Sequence, residues 1–333
     1  MQCLVCDFGG SSVKYALVDH RAQMRANGKC PAPLDSLQSF LNCIGNLYAQ
    51  FAGEIDGIAL SLPGIIDVER GIHLGSGAYG SILKQEHVIK LISERYGIRA
   101  SMENDGKCGA LAELWDGALS GARDGAVLIL GTAIGGGVIT KGSVQRGSGF
   151  TAGEFSYSIT APGAYGPLSQ AWMNVGVIGM IYKACKLKNI DLSMQDAGSM
   201  LVKYDALLKD QFPVFSGAPK KTKVDGRQLF QWINEGDGDA CQIYDQFLHS
   251  LAVIIHNIQL CYAPEKVVIG GGLSRADRLL PDVAAELDKL YAACLVPPEA
   301  RARLCLSKHL DECNLIGAMY NFLDLYGGER HVS

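Results

Sequence analysis

The stretch Asp7-Phe8-Gly9-Gly10-Ser11-Ser12 separates two short apolar runs, and the second of them is Val13 to Val18. A glycine-rich turn between two apolar runs predicts a β-hairpin. The same pattern returns where Ala126 to Gly131 leads into a glycine-rich turn and Gly137 to Thr140 follows it. Two similar hairpins predict two lobes of related α/β topology, and we place the boundary between them in the loop Gly121-Ala122-Arg123-Asp124.

Strand and helix signals fill most of the remaining chain. The apolar run Gly57 to Leu62 is closed by Pro63-Gly64, which predicts a buried strand followed by a turn. Residues His87 to Tyr96 carry apolar side chains at helical spacing, and Gly97 can end that helix. On similar grounds we expect a strand over residues 266–269, helices over residues 35–52, 106–118, 225–262, 279–290 and 314–326, and a solvated loop over the polar residues 186–226.

The composition excludes several classes of protein. With 48% hydrophobic and 19% charged residues, the 333-residue chain is not disordered, and its 40 glycines lack the period of collagen. A net charge of −4 gives no general attraction to nucleic acid or anionic lipid. The lysines of residues 219–223 have no aromatic side chains between them, so we expect no nucleic-acid partner. No apolar run approaches the ~20 residues that cross a bilayer, so we expect no membrane partner.

The cysteines and the first residues indicate a cellular compartment. Eleven cysteines, an odd number scattered from Cys3 to Cys313, are typical of reduced and mostly buried thiols. Cys3-x-x-Cys6 lies in a predicted strand, where side chains three residues apart point to opposite faces, and no second such pair completes a zinc site. The start of the chain lacks a basic region followed by an apolar block, so we expect no export signal and a cytoplasmic protein.

Three glycine-rich turns each follow a predicted strand. Glycine lets the backbone approach a ligand closely, and the exposed N–H groups of such a turn can bind an anion. Each turn on its own is also explained as a tight β-turn, because glycine is the usual turn residue. Three in this order favour a polyphosphate site between two facing hairpins. The turns are Asp7 to Ser12, Gly131 to Gly137, and Gly270-Gly271-Gly272-Leu273-Ser274.

Five motifs together resemble those of the ROK family of repressors, open reading frames and sugar kinases. The three glycine turns belong to this set, with Ser61-Leu62-Pro63-Gly64-Ile65-Ile66-Asp67 and Glu103-Asn104-Asp105. The resemblance covers residue 3 to about residue 325. It implies an actin-like or ribonuclease-H-like ATPase fold with two α/β lobes around a nucleotide and sugar cleft. The lobes would be residues 1–120 and residues 121–313, and a last helix at about 314–328 would pack back on the first lobe.

Asp105 is the residue that we expect to carry catalysis. Phosphoryl transfer to an alcohol benefits from a carboxylate that orients the hydroxyl and accepts its proton. Asp105 also matches the catalytic aspartate of the family. The alternative is that Asp105 only caps the helix that follows, a role to which aspartate is well suited.

The resemblance also implies roles for the other site residues. Gly64, Asn104, Glu154 and Tyr157 would line the sugar site, although Tyr157 could equally pack without touching the sugar. Asp7 would position Mg²⁺, directly or through water, unless it only caps its turn. The phosphates of ATP would lie against Gly9, Gly10, Ser11, Gly131, Thr132, Gly135, Gly136 and Gly137, and the adenosine against Gly270, Gly271 and Gly272.

The sequence departs from the family in one region. Where the family continues Gly-Glu-x-Gly-His, with a histidine that binds zinc and touches the sugar, this chain has Ser156 and Tyr157 after Glu154. The cysteine-rich zinc segment is also missing, and Ser169 replaces the glutamate that follows it. Structural zinc needs thiolate or imidazole ligands, so we expect no zinc. A serine in place of a glutamate would also enlarge the sugar pocket.

These observations predict an ATP- and Mg²⁺-dependent sugar kinase that phosphorylates a hexose or N-acetylhexosamine, with the 6-hydroxyl as acceptor. The candidate sugars are N-acetylmannosamine or another N-acetylhexosamine such as N-acetylglucosamine, then a β-glucoside, then glucose. One alternative is a catalytically inactive sugar-binding or sugar-sensing member of the family. A transcription regulator would need a helix-turn-helix domain before Asp7, for which we expect no room. The resemblance further implies a homodimer.

Overall fold

The structure is a computed structural model that describes residues 1–161, 165–196, 198–208, 212–213, 215–310 and 312–327. Strands and helices alternate along these ranges. In order they are β1 Gln2–Phe8, β2 Ser12–Asp19, β3 Met24–Pro31, α1 Leu37–Phe51, β4 Gly57–Leu62, β5 Ile65–Asp67, β6 Ile72–Gly75, α2 Gly80–Leu83, α3 Val88–Tyr96, β7 Arg99–Asn104, α4 Asp105–Asp116, β8 Gly125–Leu130, β9 Ile134–Thr140, β10 Ser143–Val144, α5 Ala171–Asn174, α6 Val177–Lys188, α7 Gly198–Leu208, α8 Gly226–Asn234, α9 Gly238–Tyr262, β11 Lys266–Gly270, α10 Leu279–Ala293, β12 Leu304–Leu306 and α11 Cys313–Tyr326.

Two five-stranded sheets share one topology. The strand order is β3-β2-β1-β4-β7 in the first sheet and β10-β9-β8-β11-β12 in the second. In each, the central strand pairs antiparallel with the next strand of the chain and parallel with a later one. The two hairpins predicted from the sequence are therefore confirmed, and each forms the corresponding half of its sheet.

The last helix packs against the first sheet. Side chains of α11, among them Met319 and Phe322, are buried against Val5 and Ala59 of β1 and β4. A Cβ on Gly57 would lie 2.1 Å from the Phe322 ring, so the absence of a side chain at this residue makes room for the helix. The hydroxyl of Tyr326 donates to the carbonyl of Ala100 in β7 at 2.9 Å. The amino end of α11 is thereby placed beside β1.

The longest helix, α9, has 25 residues and buries one apolar face in the core of the second sheet. Its first turn is capped by Asp237, whose carboxylate accepts from the N–H of Ala240. It ends at Ala263, which has a left-handed conformation and precedes Pro264. No helix in the described part of the chain is both long enough and apolar enough to cross a membrane.

Most predicted elements are present, and several observed ones were missed, among them α6, α7, β3 and β12. The expected loop over residues 186–226 is wrong in part, because it contains α7. Helix α6 begins at a glycine cap with no side-chain hydrogen bond, so the sequence carries no start signal. Strand β3 is a largely exposed edge strand without an apolar run, and β12 has only three residues. Such elements lack the hydrophobic period on which sequence interpretation depends.

Candidate active site

Three parallel strands bring polar residues to one edge of the first sheet. The register pairs Asp7 of β1 with Ser61 of β4, and Ser61 with Glu103 of β7. In open α/β sheets, ligands bind outside the carboxyl ends of the strands. Asn104 and Asp105 follow Glu103, so they also lie at this edge. The two separate motifs that contain Asp7 and Asp105 therefore meet in one place.

Asp7 is held by side chains from two other elements. Its Oδ1 accepts from Ser61 Oγ at 2.8 Å and from Asn314 Nδ2, at the start of α11, at 3.1 Å. Burial raises the pKa of the Asp7 carboxyl, and the two hydrogen bonds oppose that shift. The turn after β1 is closed by its own backbone, through the N–H of Gly9 and the carbonyl of Ser12. Asp7 is thus fixed in orientation without serving as the cap of that turn.

Asp105 is the first residue of α4, and Asn104 is the cap. The Oδ1 of Asn104 accepts from the N–H of Lys107 at 3.0 Å, whereas the Oδ1 of Asp105 accepts from the N–H of Gly106 at 2.8 Å. The helix therefore does not need Asp105 as its N-cap. Burial raises the pKa of the Asp105 carboxyl to about 7, the negative charge of Asp7 adds to that rise, and the hydrogen bond from Gly106 opposes it. A carboxyl with a pKa near neutrality suits a general base.

Asn104 also joins α4 to the loop that contains Gly64. The Nδ2 of Asn104 donates to the carbonyl of Gly64 at 2.9 Å. Gly64 has a φ of 118°, and a Cβ there would lie 2.6 Å from the carbonyl oxygen of Ser76. His73 is buried and braces the same loop: its Nδ1 accepts from the N–H of Gly75, so its Nε2 donates to the carbonyl of Pro63. The predicted residues Asn104 and Gly64 are therefore in contact.

A buried ion pair lies next to Asp105. Lys107 Nζ is 2.8 Å from Glu154 Oε1, and the exposed fractions of the two side chains are 1% and 16%. Burial raises the pKa of Glu154, and the Lys107 ammonium opposes that rise. Sequence interpretation missed Lys107, because nothing in the pattern distinguishes a buried lysine from an exposed one in the same helix. Glu154 is thereby brought to the helix that carries Asp105.

Tyr157 lies at the exposed side of this cluster. Half of its side chain is exposed, and its hydroxyl is 2.5 Å from the hydroxyl of Ser76. Ser169, in contrast, is only 2% exposed, and its hydroxyl donates to the carbonyl of Gly166 within the same turn. Ser169 therefore does not support the prediction of an enlarged sugar pocket.

The predicted nucleotide-binding residues fall into two groups. Some lie at exposed or half-exposed turns: Gly9, Gly10, Ser11, Gly131, Thr132 and Gly272. A Cβ on Gly131 or Gly272 would meet no atom within 4 Å. The others, Gly135, Gly136, Gly137, Gly270 and Gly271, lie within β9, at the end of β11 or directly after β11. The phosphate and adenosine roles of both groups stay predictions.

Close packing explains part of the second group without a ligand. A Cβ on Gly106 of α4 would lie 2.3 Å from the backbone nitrogen of Gly136, and a Cβ on Gly137 would lie 2.7 Å from the Cβ of Ala110. Gly271 has a φ of 85°, and a Cβ there would lie 2.5 Å from the carbonyl oxygen of Leu130. These residues therefore have structural reasons to be glycine.

A cluster of polar side chains that the sequence did not reveal holds Glu103, the residue before Asn104. Glu103, which is 1% exposed, accepts from Arg146 Nε at 2.7 Å. Arg146 Nη2 also contacts Asn321 Oδ1 of α11 at 3.2 Å. Asn321 Nδ2 in turn donates to the carbonyl of Met102 in β7. Glu103 is thus connected to the segment after β10 and, through Arg146, to α11.

The loop that lacks the zinc segment is held by hydrogen bonds. Asn174 Nδ2 donates to Thr160 Oγ1 and to the carbonyl of Leu168, while its Oδ1 accepts from Lys183 Nζ. No group of three or more histidine, cysteine, aspartate or glutamate residues suited to a metal occurs in the described ranges, which leave out residues 162–164 of this loop.

We expect the fold to be independent of zinc, because side-chain amide and hydroxyl groups hold this loop instead of metal ligands. Incubation with a chelator should leave the thermal midpoint unchanged, and elemental analysis should find no zinc. Mg²⁺ must be restored before activity is assayed, since chelators remove it too. One tightly bound zinc per chain, with unfolding when it is removed, would contradict the prediction.

The chain is similar to known proteins in sequence and in structure. The model of the ROK family matches residues 3–166 and 197–324. The N-acetyl-D-glucosamine kinase of Aliivibrio salmonicida (strain LFI1238) is 28% identical over 320 residues, which are 94% of this chain and 97% of that protein. The β-glucoside kinase of Listeria innocua serovar 6a is 24% identical over 271 residues, which are 81% and 80% of the two chains.

A solved structure confirms the fold class. The ROK family glucokinase from Streptomyces griseus, in complex with glucose and AMPPNP, superposes with a TM-score of 0.70 at 19% identity, over 96% of this chain and 98% of that one. The fold is the actin-like, ribonuclease-H-like α/β fold with two lobes, in agreement with the repeated sheet order. Because the family model extends over most of the sequence, from β1 to α11, the chain belongs to the ROK family.

Proposed function

We propose that this chain, an ATP-dependent carbohydrate kinase, transfers the γ-phosphoryl group to the 6-hydroxyl of an N-acetylhexosamine or hexose, with Asp105 as the general base. The observation that carries the proposal is Asp105 itself: a buried carboxyl with a pKa raised to about 7, at the carboxyl end of β7. Asp7 lies near enough to raise that pKa. Such a carboxylate accepts a hydroxyl proton near neutral pH.

The surrounding residues fix where that proton acceptor lies. Asn104 caps α4 and holds the Gly64 loop, so the start of the helix has a defined position relative to that loop. Glu154 reaches the same helix through Lys107. We propose that the side chains of Asn104 and Glu154 bind sugar hydroxyls, and that they thereby aim the acceptor oxygen at Asp105. Correct orientation of two reactants can remove a large part of a barrier.

Asp7 fits the requirements of Mg²⁺. Carboxylate oxygens are the ligands that this ion prefers, and the negative charge of Asp7, which helps to raise the pKa of Asp105, also favours a nearby cation. When bound, Mg²⁺ would neutralise charge on the β- and γ-phosphates of ATP. Ser61 and Asn314 hold Asp7 in one orientation, which leaves the carboxylate ready to bind the ion directly or through water.

We expect Gly272→Ala to weaken ATP binding without weakening the fold. A Cβ at this residue meets no protein atom within 4 Å, so the new methyl group can clash only with a ligand that lies close to the backbone. The Michaelis constant for ATP should rise about fivefold or more, since overpacking costs ~1 kcal/mol or more. Enzyme kinetics and a thermal melt measure the two effects.

The matched control is Gly53→Ala. Gly53 also has no atom within 4 Å of a new Cβ, and it lies after α1, away from the predicted nucleotide site. This variant should keep both the parent thermal midpoint and the parent Michaelis constant. An unchanged Michaelis constant for ATP in Gly272→Ala would show that Gly272 does not contact the nucleotide.

For the substrate, we propose an N-acetylhexosamine ahead of a β-glucoside and of glucose. The support comes from relatives: N-acetyl-D-glucosamine kinase matches 94% of the chain, and β-glucoside kinase matches 81% at lower identity. An ATP-coupled assay should compare kcat/KM for N-acetylglucosamine, N-acetylmannosamine, a β-glucoside, mannose and glucose. We expect an N-acetylhexosamine to exceed glucose by at least about tenfold, because a site that pairs with a substrate group rejects sugars without it.

Two outcomes of this assay would contradict parts of the proposal. A glucose value at least tenfold above every substituted sugar would overturn the substrate class and leave the kinase reaction intact. Binding of a sugar with no phosphorylation of any would favour the inactive sugar-binding alternative. The homodimer and the cytoplasmic location also stay predictions. Light scattering of the purified protein tests the first, and cell fractionation tests the second.

A further inference from the structure

A closed ring of contacts links the segments next to Asp105. Its members come from the end of β7 and the start of α4, from the loops after β4 and β6, and from the segment that contains Glu154. In order around the ring they are Asn104, Gly64, Ser76, Tyr157, Glu154 and Lys107. The ring therefore connects Asn104 and Glu154, the two side chains that the proposed function assigns to the sugar, with Ser76 and Tyr157.

One half of the ring runs through the Gly64 loop. Asn104 Nδ2 donates to the carbonyl of Gly64 at 2.9 Å. The Cα of Gly64 in turn lies so close to the carbonyl of Ser76 that no side chain fits between them. Ser76 has a φ of 70°, between Gly75 at 126° and Gly77 at 67°. A serine in this left-handed conformation is uncommon, so the surrounding contacts must hold it there.

The other half runs through the Glu154 segment. The N–H of Tyr157 donates to the carbonyl of Glu154 at 3.2 Å. The Glu154 carboxylate pairs with Lys107, whose N–H donates to the side chain of Asn104 and completes the ring. The Glu154 segment is thus connected to the first 120 residues at two points, Lys107–Glu154 and Ser76–Tyr157.

These two connections differ in how easily they open. Lys107 is buried, Glu154 is partly buried, and the two are oppositely charged, so separating them would leave the Lys107 charge unpaired in a low dielectric. Ser76 and Tyr157 are exposed and neutral, and one hydroxyl–hydroxyl bond joins them. A neutral hydrogen bond that water can replace contributes little net free energy. The Ser76–Tyr157 side is therefore the part of the ring that can open.

We propose that the hydrogen bond between Ser76 and Tyr157 is a latch that gates the sugar site. The latch breaks to admit the sugar, re-forms across it, and breaks again to release the product. Ser76 and Tyr157 thus act as positioning residues that control access. This inference rests on the proposed function, because it takes the sugar to bind next to Asn104 and Glu154.

The latch is tested by the rates of sugar binding in the absence of ATP. Tyr157→Phe removes the hydroxyl and keeps the ring, and Ser76→Gly removes the partner hydroxyl while allowing the same φ. NMR exchange of a fluorinated N-acetylhexosamine gives both rates. Each variant should raise association and dissociation together by about 2- to 10-fold, the effect of losing one neutral hydrogen bond, and the dissociation constant should change less than twofold.

A double variant and a control sharpen the test. Ser76→Gly/Tyr157→Phe should match either single variant, since both remove the same bond. Tyr48→Phe removes the hydroxyl of a partly exposed tyrosine of α1 that donates to the carbonyl of Tyr96, outside the ring, and should leave both rates at the parent values. A rise in the dissociation rate alone would make Tyr157 a sugar ligand and overturn the latch. Additive effects in the double variant would overturn it too.

A readout in the free protein separates failure of the latch from failure of the proposed function. Amide hydrogen exchange in residues 75–80 and 155–158 should be faster in Tyr157→Phe than in the parent, because the open form is more populated. If the parent binds no sugar, the proposed function fails, and the exchange comparison alone decides on the latch. Equal exchange in parent and variant overturns it.

Discussion

Asp105→Asn is expected to lower kcat by about 10²- to 10⁴-fold, the range typical of losing a general base. The amide keeps the shape of the side chain and can still accept the hydrogen bond from Gly106, but it cannot take a proton from the sugar. ATP affinity should not fall. Asp116→Asn, at the exposed end of the same helix, is the matched control and should keep the parent rate. Turnover of Asp105→Asn at the parent rate would show that the assigned mechanism is wrong.

The same residue predicts how activity depends on pH. The base is active only when Asp105 is deprotonated, and burial together with the charge of Asp7 raises its pKa to about 7. The kcat/KM of the parent should therefore fall about tenfold per pH unit below pH 7 and level off above it. Between pH 8 and pH 9, kcat/KM should change little. A rate that is constant between pH 5 and pH 8 would place the proton acceptor elsewhere.

Asp105→Asn should also stabilise the protein, and only at higher pH. The folded state raises the pKa of Asp105 from 3.8 to about 7, so the folded chain binds more protons than the unfolded chain between these values. Stability due to this group is fully present below pH 3.8 and is lost as the pH rises through 7. The free energy of unfolding of the variant should exceed that of the parent by ~2 to 4 kcal/mol at pH 8. At pH 5 most of that difference should disappear.

Breaking the pair Lys107–Glu154 is expected to have the largest effect on stability. Glu154→Ala would leave an ammonium group that is 1% exposed without its carboxylate partner. Removing one partner of a buried pair costs about 3 to 5 kcal/mol, because the remaining charge is neither hydrated nor paired. Urea denaturation at pH 7.5 measures this loss in the free energy of unfolding.

Two variants show whether the loss comes from the unpaired charge. Lys107→Met/Glu154→Leu replaces both charges with apolar side chains and should recover a large part of the stability that Glu154→Ala loses. Glu94→Ala breaks the pair Lys90–Glu94, whose side chains are 68% and 64% exposed, and should cost less than about 0.5 kcal/mol. Equal losses for Glu94→Ala and Glu154→Ala would mean that burial of the pair contributes nothing.

Parts of the fold were readable from the sequence because their signals are local. A glycine turn between two apolar runs is contained in about 16 residues, and both hairpins formed as predicted. Helix α3 ends at Gly97, which has a left-handed φ of 65° and whose N–H bonds the carbonyl of Ser93. Helix α6 also ends at a left-handed residue, Asn189. It begins after Gly176 without a side-chain hydrogen bond, so no local signal marks its start and tertiary packing decides where it begins. It was missed for that reason.

Of the residues in the candidate site, some were identified from local sequence signals and others are brought there only by the fold. Asp7, Asn104 and Asp105 stand in short motifs next to predicted strand ends, so the sequence could single them out as candidates. The residues that hold them come from distant parts of the chain: Asn314 contacts Asp7 across 307 positions, and Arg146 reaches Glu103 across 43. No local period connects such pairs. Their contacts exist only after the sheets and α11 have packed.

The sequence by itself determined the two hairpins, the order of most strands and helices, and which carboxylates were candidates for catalysis, because residue type and short-range spacing carry that information. Only the tertiary structure decided that Asn104 rather than Asp105 caps α4, that Lys107 is buried against Glu154, and that Ser76 meets Tyr157. Protonation depends on the dielectric and the charges around a group. Glu154 and Asp7, whose charges act on Asp105, lie 49 and 98 positions from it in the sequence. Burial, and with it the raised pKa of Asp105, is therefore a property of the folded chain.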